Sequence, residues 1–161
     1  MSASVTSHLV FRVDDLTGAA TRALIARHLT GMRAISPEKS VHALDVDKLR
    51  ATDVTFWSVW VGEEIAGCGA LKVLDATRGE VKSMRVADAF LGQGIGRAIL
   101  EHLMAEARTR GMESLWLETG STEPFIPALR LYESAGFVRC RPFDGYTDDP
   151  FSVFMTRSLV E

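Results

Sequence analysis

The sequence predicts an α/β domain, in which about four helices flank a mixed, mainly antiparallel sheet of six to seven strands. Three observations carry that prediction. Strand-like segments follow one another from Val54 to Val86 across turns too short for a crossover. A long amphipathic helix, opened by a glycine-rich loop, comes directly after them. Behind it, a strand, a second helix and two closing strands complete the chain.

Taken in order, Val5 to Val13 reads as an edge strand, and Asp14 or Asp15 can cap the helix that follows. Leu16, Ala20, Leu24 and Leu29 give that helix an apolar face, and Gly31 is its expected stop. Ser36 precedes Pro37 and is pushed out of helical geometry. A short helix is expected from Asp45 to Arg50. Val54 to Val61, Ile65 to Leu74 and Glu80 to Val86 are then three strands, turned by Gly62-Glu63-Glu64 and by Asp75 to Gly79. A parallel crossover needs about a dozen residues or more, so these neighbours must be antiparallel. Gly67 and Gly69 mark weak or bulged points in the second of them. From Gly94 to Arg110, Ile99, Leu100, Leu103 and Ala107 form the inner stripe of the long helix, which Gly111 ends. Ser114 to Thr119 is a buried strand, Pro124 to Ser134 a helix, and Val138 to Phe143 and Ser152 to Leu159 the last strands.

With 161 residues, 47% of them apolar, the chain can bury one proper core, so residues 1–161 read as a single domain. A net charge of −3 offers nothing to attract nucleic acid or an anionic membrane. Met1 to Val10 lacks a basic stretch followed by an apolar run, and no apolar run is long enough to span a membrane. The expected location is cytoplasmic. Cys68 and Cys140 each sit in an apolar, strand-like segment and read as buried free thiols. The histidines His8, His28, His42 and His102 are scattered, so no metal is expected.

The most informative stretch is Gly92-Gln93-Gly94-Ile95-Gly96-Arg97. Alternating glycines are poor for a helix, but they allow positive φ and close approach of a ligand to the backbone. The first turn of a helix has free N–H groups and a partial positive charge, which together suit a phosphate or pyrophosphate. A plain glycine turn and cap is the competing reading. A Walker loop would need GxxxxGK with Ser or Thr, and a dinucleotide fingerprint would need GxGxxG in a β-α-β unit; neither is present.

Met84-Arg85-Val86 followed by Leu91-Gly92-Gln93-Gly94-Ile95-Gly96-Arg97-Ala98-Ile99-Leu100 resembles the coenzyme A motif of the GNAT superfamily of N-acetyltransferases. Leu131-Tyr132-Glu133-Ser134-Ala135-Gly136-Phe137 resembles that superfamily's second signature, and the element order is similar along nearly the whole chain. The resemblance implies the GNAT fold and acetyl-CoA as co-substrate. It gives the loop from Gly92 through Gln93, Gly94, Ile95 and Gly96 to Arg97 the pyrophosphate, and gives the backbone of Met84, Arg85 and Val86 the pantetheine arm, like an added strand. Two positions depart from the pattern. Leu91 stands where the family usually has Arg or Gln, and Phe125 where it often has Asn.

The resemblance also implies the chemistry. Tyr132 matches the family's general acid, which would protonate the departing thiolate. Glu80 matches the base glutamate of some members, with Glu118, at the end of the next strand, and a water chain as competitors. Ser36, Glu38, His42, Tyr146, Asp148 and the run Thr119 to Glu123 are candidates for the acceptor side. Wider similarity to a bacterial small-molecule subgroup implies direct transfer of acetyl to the primary amine of a small molecule in a ternary complex, with no nucleic-acid or membrane partner and a homodimer left open. The alternatives are a non-catalytic acyl-CoA-binding module of the same fold and a nucleotide-binding protein.

Overall fold

The computed structural model describes residues 8–35 and 46–160. Seven strands form one sheet: β1 (Leu9–Val13), β2 (Val54–Val61), β3 (Glu64–Val73), β4 (Arg78–Val86), β5 (Ser114–Gly120), β6 (Val138–Cys140) and β7 (Ser152–Ser158). Their order across the sheet is β1-β2-β3-β4-β5-β7-β6. The helices are α1 (Ala19–Ile35), the single turn α2 (Val46–Leu49), α3 (Ile95–Thr109) and α4 (Ile126–Ser134). The tight turns from β2 to β4 make antiparallel pairs, whereas the crossover through α3 makes β4 and β5 parallel.

Alternation along the strands divides the core in two. Trp57, Val59, Leu71, Val81, Leu115, Leu117 and Met155 share a buried cluster with Ile95, Ile99, Leu103 and Ala107 of α3. Phe56, Cys68 and Ala70 point the other way, onto Leu16, Leu24, Ile25 and Leu49. Gly67 and Gly69 do more than weaken β3. A Cβ at Gly69 would lie 2.7 Å from Ile99 Cγ2, and one at Gly67 2.9 Å from Ile99 Cδ1. Their bare backbone is what lets α3 lie directly on the sheet.

Three boundaries differ from the sequence reading, each for a local reason. α1 runs past Gly31 to Ile35. A single helical glycine costs only about 1 kcal/mol relative to alanine, and Met32, Arg33 and Ala34 favour the helix. β6 stops at Cys140, two residues before Pro142, which has no N–H to give a ladder. The expected helix from Pro124 opens instead with a 3₁₀ turn over Glu123–Phe125 and becomes α-helical at Ile126.

β4 and β5 pair only from Arg78 to Glu80 with Ser114 to Trp116. Among the described residues no further rung joins them, although β4 continues to Val86 and β5 to Gly120. The two strands therefore part in the middle of the sheet, leaving one edge of β4 unpaired.

Candidate active site

The glycine loop lies at the end of that open edge. Gly92 and Gly94 have φ of 77° and 82°, so both need the left-handed region that glycine enters without a Cβ penalty. Gly94 is the N-cap of α3, and no side chain caps it. The N–H groups of Ile95, Gly96 and Arg97 thus stand at the helix end, where an anion is favoured. A Cβ on Gly96 would meet Leu131 Cδ2 at 3.3 Å, which brings α4 against the start of α3. The Arg97 guanidinium donates to Ser134 Oγ, which in turn donates to the Leu131 carbonyl at 2.7 Å. Arg97 therefore offers the loop its backbone, while its side chain fastens the first motif to the second. Leu91 is exposed at the loop's mouth.

Behind the loop β4 is bulged. Between Cys68↔Arg85 and Ala70↔Lys82, β4 spends one residue more than β3, and Ser83 takes a φ of 54°. The Cys68 thiol donates to the Ser83 carbonyl at 3.3 Å, and burial pushes that thiol up to about 12. The Arg85 guanidinium meets Asp88 Oδ1 at 3.5 Å, and Met84 and Val86 pack against the α3 side of the core. For these three residues it is the backbone that faces the open edge. A bare strand edge leading to a nest of helical N–H groups fits an extended, phosphate-ended ligand such as an acyl-coenzyme A.

The titratable groups gather where β4 and β5 part. Glu80 is not a solvent-facing strand end: it is 3% exposed. Its Oε2 accepts from Lys82 Nζ at 2.9 Å and from the Tyr146 hydroxyl at 2.7 Å. Lys82 Nζ also donates to the Tyr146 oxygen at 2.9 Å. Glu118 accepts from the Ser152 hydroxyl at 2.8 Å. Burial pushes its carboxyl up to about 7, against the lowering effect of that hydrogen bond and of Lys82. Tyr132 is 8% exposed, with its ring edge-on to Phe137 at 5.9 Å. Burial, then the Glu118 charge, raise its hydroxyl to about 12. Burial and the Glu80 carboxylate hold the Tyr146 phenol well above its ordinary value.

The structure thus joins Glu80 to Lys82 and Tyr146, joins Glu118 to Ser152, and leaves Tyr132 near enough to feel the Glu118 charge. Tyr146 comes from the loop between β6 and β7, seated by rings of Phe143 at 5.1 Å and Phe154 at 5.5 Å. Phe125 lies flat on Gly120, whose Cβ would come within 2.2 Å of the ring. Ser36, Glu38 and His42 lie outside the described residues. Lys82 pairs with Glu80, as an i, i+2 spacing on one face of a strand allows; Ser152, the partner of Glu118, was the residue that sequence reasoning missed.

The chain resembles known proteins along nearly its full length. The Acetyltransferase (GNAT) family model matches residues 22–137. The uncharacterized N-acetyltransferase YsnE of Bacillus subtilis (strain 168) is 51% identical over 148 residues, covering 92% of this chain and 98% of YsnE. The uncharacterized N-acetyltransferase YedL of Escherichia coli (strain K12) is 49% identical over 150 residues, covering 93% and 94%. The fold is shared with a GNAT family acetyltransferase from Elizabethkingia anophelis with acetyl-CoA bound, at a TM-score of 0.69 and 19% identity over 94% of this chain and 98% of that one. With a family model spanning most of the chain and two relatives matching it almost end to end, the parted sheet and its glycine loop find their explanation: the chain belongs to the acetyltransferase (GNAT) family and is an acyltransferase of that kind.

Proposed function

We propose that this protein transfers an acetyl group from acetyl-CoA to the primary amine of a small molecule, with both bound at once across the β4–β5 gap. The observation that carries the reading is continuity. The uncapped N-terminus of α3 follows the unpaired edge of β4 in the chain, Glu118 stands on the strand across the gap, and Tyr132 feels the Glu118 charge. An acyl-CoA anchored by its pyrophosphate at the loop, with its arm along β4, would deliver its thioester to the two side chains.

In this reading the amine nitrogen bonds to the thioester carbon, Glu118 takes the nitrogen's proton, and the carbon–sulfur bond breaks as Tyr132 donates to the sulfur. Held at about 7, Glu118 is roughly a hundredfold or more stronger as a base than an ordinary glutamate. Glu80, the carboxylate expected from the resemblance, has its Oε2 engaged by the Lys82 ammonium and the Tyr146 hydroxyl; we therefore place the base at Glu118. Tyr132 stays protonated at neutral pH. Because a phenol at about 12 is a weaker acid than a thiol near 8.5, most of its effect is a hydrogen bond to the sulfur as charge develops.

The test is thiol release from acetyl-CoA against a panel of amines, amino acids, polyamines and aminoglycosides, followed by pH–rate profiles of Glu118→Gln and Glu80→Gln with a working amine. Glu118→Gln should remove the acidic limb of kcat/KM and lower kcat about a hundredfold or more; Glu80→Gln should keep a limb. Loss of the limb in Glu80→Gln alone would return the base to Glu80. Tight coenzyme A binding with no turnover on any amine would make the protein a binding module instead.

A further inference from the structure

Lys82 is buried where a cation is expensive to keep. Its side chain is 9% exposed, and that of its partner Glu80 is 3% exposed. Such a pair is a poor source of stability, because desolvation can exceed the Coulombic gain and apolar residues of similar volume often serve as well or better. Its place therefore calls for another reason. Lys82 and Glu118 each lie two residues beyond the last rung, Glu80↔Trp116, and so flank the start of the β4–β5 gap. The ammonium is fixed at three points: Glu80 Oε2 at 2.9 Å, the Tyr146 oxygen at 2.9 Å, and the face of the Tyr146 ring at 5.6 Å.

Several other groups act on Glu118. Glu80 on β4 and Asp149 in the β6–β7 loop oppose its ionisation. The Ser152 hydroxyl on β7 favours it, and Tyr132 on α4 feels its charge. Tyr146 is a phenol and contributes no charge of its own. Of the groups that act on Glu118, Lys82 is the cation. Without it two carboxylates would act on a third with the Ser152 hydrogen bond left to oppose them, and like charges in one site push a proton onto one of them.

We propose that Lys82 is a positioning residue for acyl transfer: pinned between Glu80 and Tyr146, its ammonium keeps Glu118 ionised and able to accept the amine's proton at neutral pH. The proposal rests on the reading of Glu118 as the base. Tyr146 then has a role as well, since it ties the β6–β7 loop to β4 and fixes how far the ammonium stands from Glu118.

The experiment follows Glu118 directly, by carboxyl-carbon NMR titration of the full chain labelled at glutamate, with Glu118→Gln identifying the resonance. Alongside it, the acidic limb of kcat/KM is measured. Lys82→Met should raise the Glu118 midpoint by about one pH unit or more, and the limb should follow, with activity recovering toward wild type as pH rises. Lys82→Arg keeps the charge and should leave the midpoint near wild type. Glu80→Gln keeps the shape, removes a negative charge and should move the midpoint the opposite way, to lower pH; it also serves where Lys82→Met fails to fold. A purely structural role would not produce opposite shifts. An unmoved midpoint in Glu80→Gln and in any folded Lys82→Met overturns the role of Lys82, whatever the base is. Midpoints that move as expected while the limb stays put uphold the electrostatic link and overturn Glu118 as the base.

Discussion

Glu118 is at odds with its surroundings, and the conflict has a sign. Its folded carboxyl titrates near 7, above the ordinary 4.5, because burial disfavours the charge. Between those values the folded chain holds a proton that the unfolded chain has released, so stability falls as pH rises through that window. Glu118→Gln should therefore raise the melting temperature at pH 8 and change it little at pH 5, while lowering turnover; calorimetry showing the same gap at both pH values would remove the conflict. Tyr132 behaves differently. Tyr132→Phe keeps the ring against Phe137 and should leave the melt unchanged. It should cost about a hundredfold in kcat, the low end for a positioned donor, with little change in KM for acetyl-CoA, as measured by steady-state kinetics. These residues were unequally legible. Tyr132 stands in a contiguous motif, so its neighbours in sequence identify it. The choice between Glu80 and Glu118 depends on burial and partners, and the partner of Glu80 lies 66 positions away in Tyr146. No local pattern ties those two together.

At the scale of the element, the opening of α3 combines two demands usually met separately. It must start a helix and also leave the helix end bare. Gly94 does both, because a φ of 82° turns the chain into α3 with no side chain over the exposed N–H groups. Gly94→Val should be strained there and place a branched side chain near the anion's path. Coenzyme A affinity should fall about tenfold or more by calorimetry, with the far-UV spectrum kept. Unchanged affinity in a folded variant would move the pyrophosphate elsewhere. Such loops are legible because glycine spacing has few other uses before a helix. The three sequential strands were legible for a similar reason, since turn length alone dictates their pairing. The end of α1 was not: one glycine costs a helix only about 1 kcal/mol relative to alanine, and there the helix continued. The bulge at Ser83 was also hidden, because nothing in Lys82-Ser83-Met84 marks a positive φ on a serine.

For the whole molecule, the parting of β4 and β5 is a structural weakness as well as the proposed binding site. A central sheet normally gains from every rung of its ladder, yet here the rungs stop after Glu80↔Trp116 while both strands run on. The α3 side of the core spans the gap, with Leu117 and Met155 on one side and Val81 and Ile95 on the other. Among the described residues, β4 beyond Glu80 has no strand partner on its β5 side. A ligand arm laid along that side would pair with its backbone and join the two halves of the sheet, so its binding should stabilise the fold as a whole. At a ligand concentration of about 100 times Kd, linkage gives about 2.7 kcal/mol. For a chain of this size each kcal/mol moves Tm by about 2–4 °C, so acetyl-CoA should raise Tm by about 5–10 °C. Gly94→Val, read at the same ligand concentration, should lose about half of that rise or more. The shift should also shrink when the arm is removed and only an adenosine diphosphate is offered, because the loop would be filled and the β4 edge left bare. Scanning calorimetry with the two ligands, each at the same multiple of its own Kd, corrects for affinity but not for location, since linkage then demands equal shifts. The discriminating readout is amide hydrogen exchange. Protection of β4 from Lys82 to Val86 should appear with acetyl-CoA and not with the diphosphate, whereas protection of Ile95 to Arg97 should appear with both. Equal protection of β4 by the two ligands would mean that the arm does not lie along the parted strand.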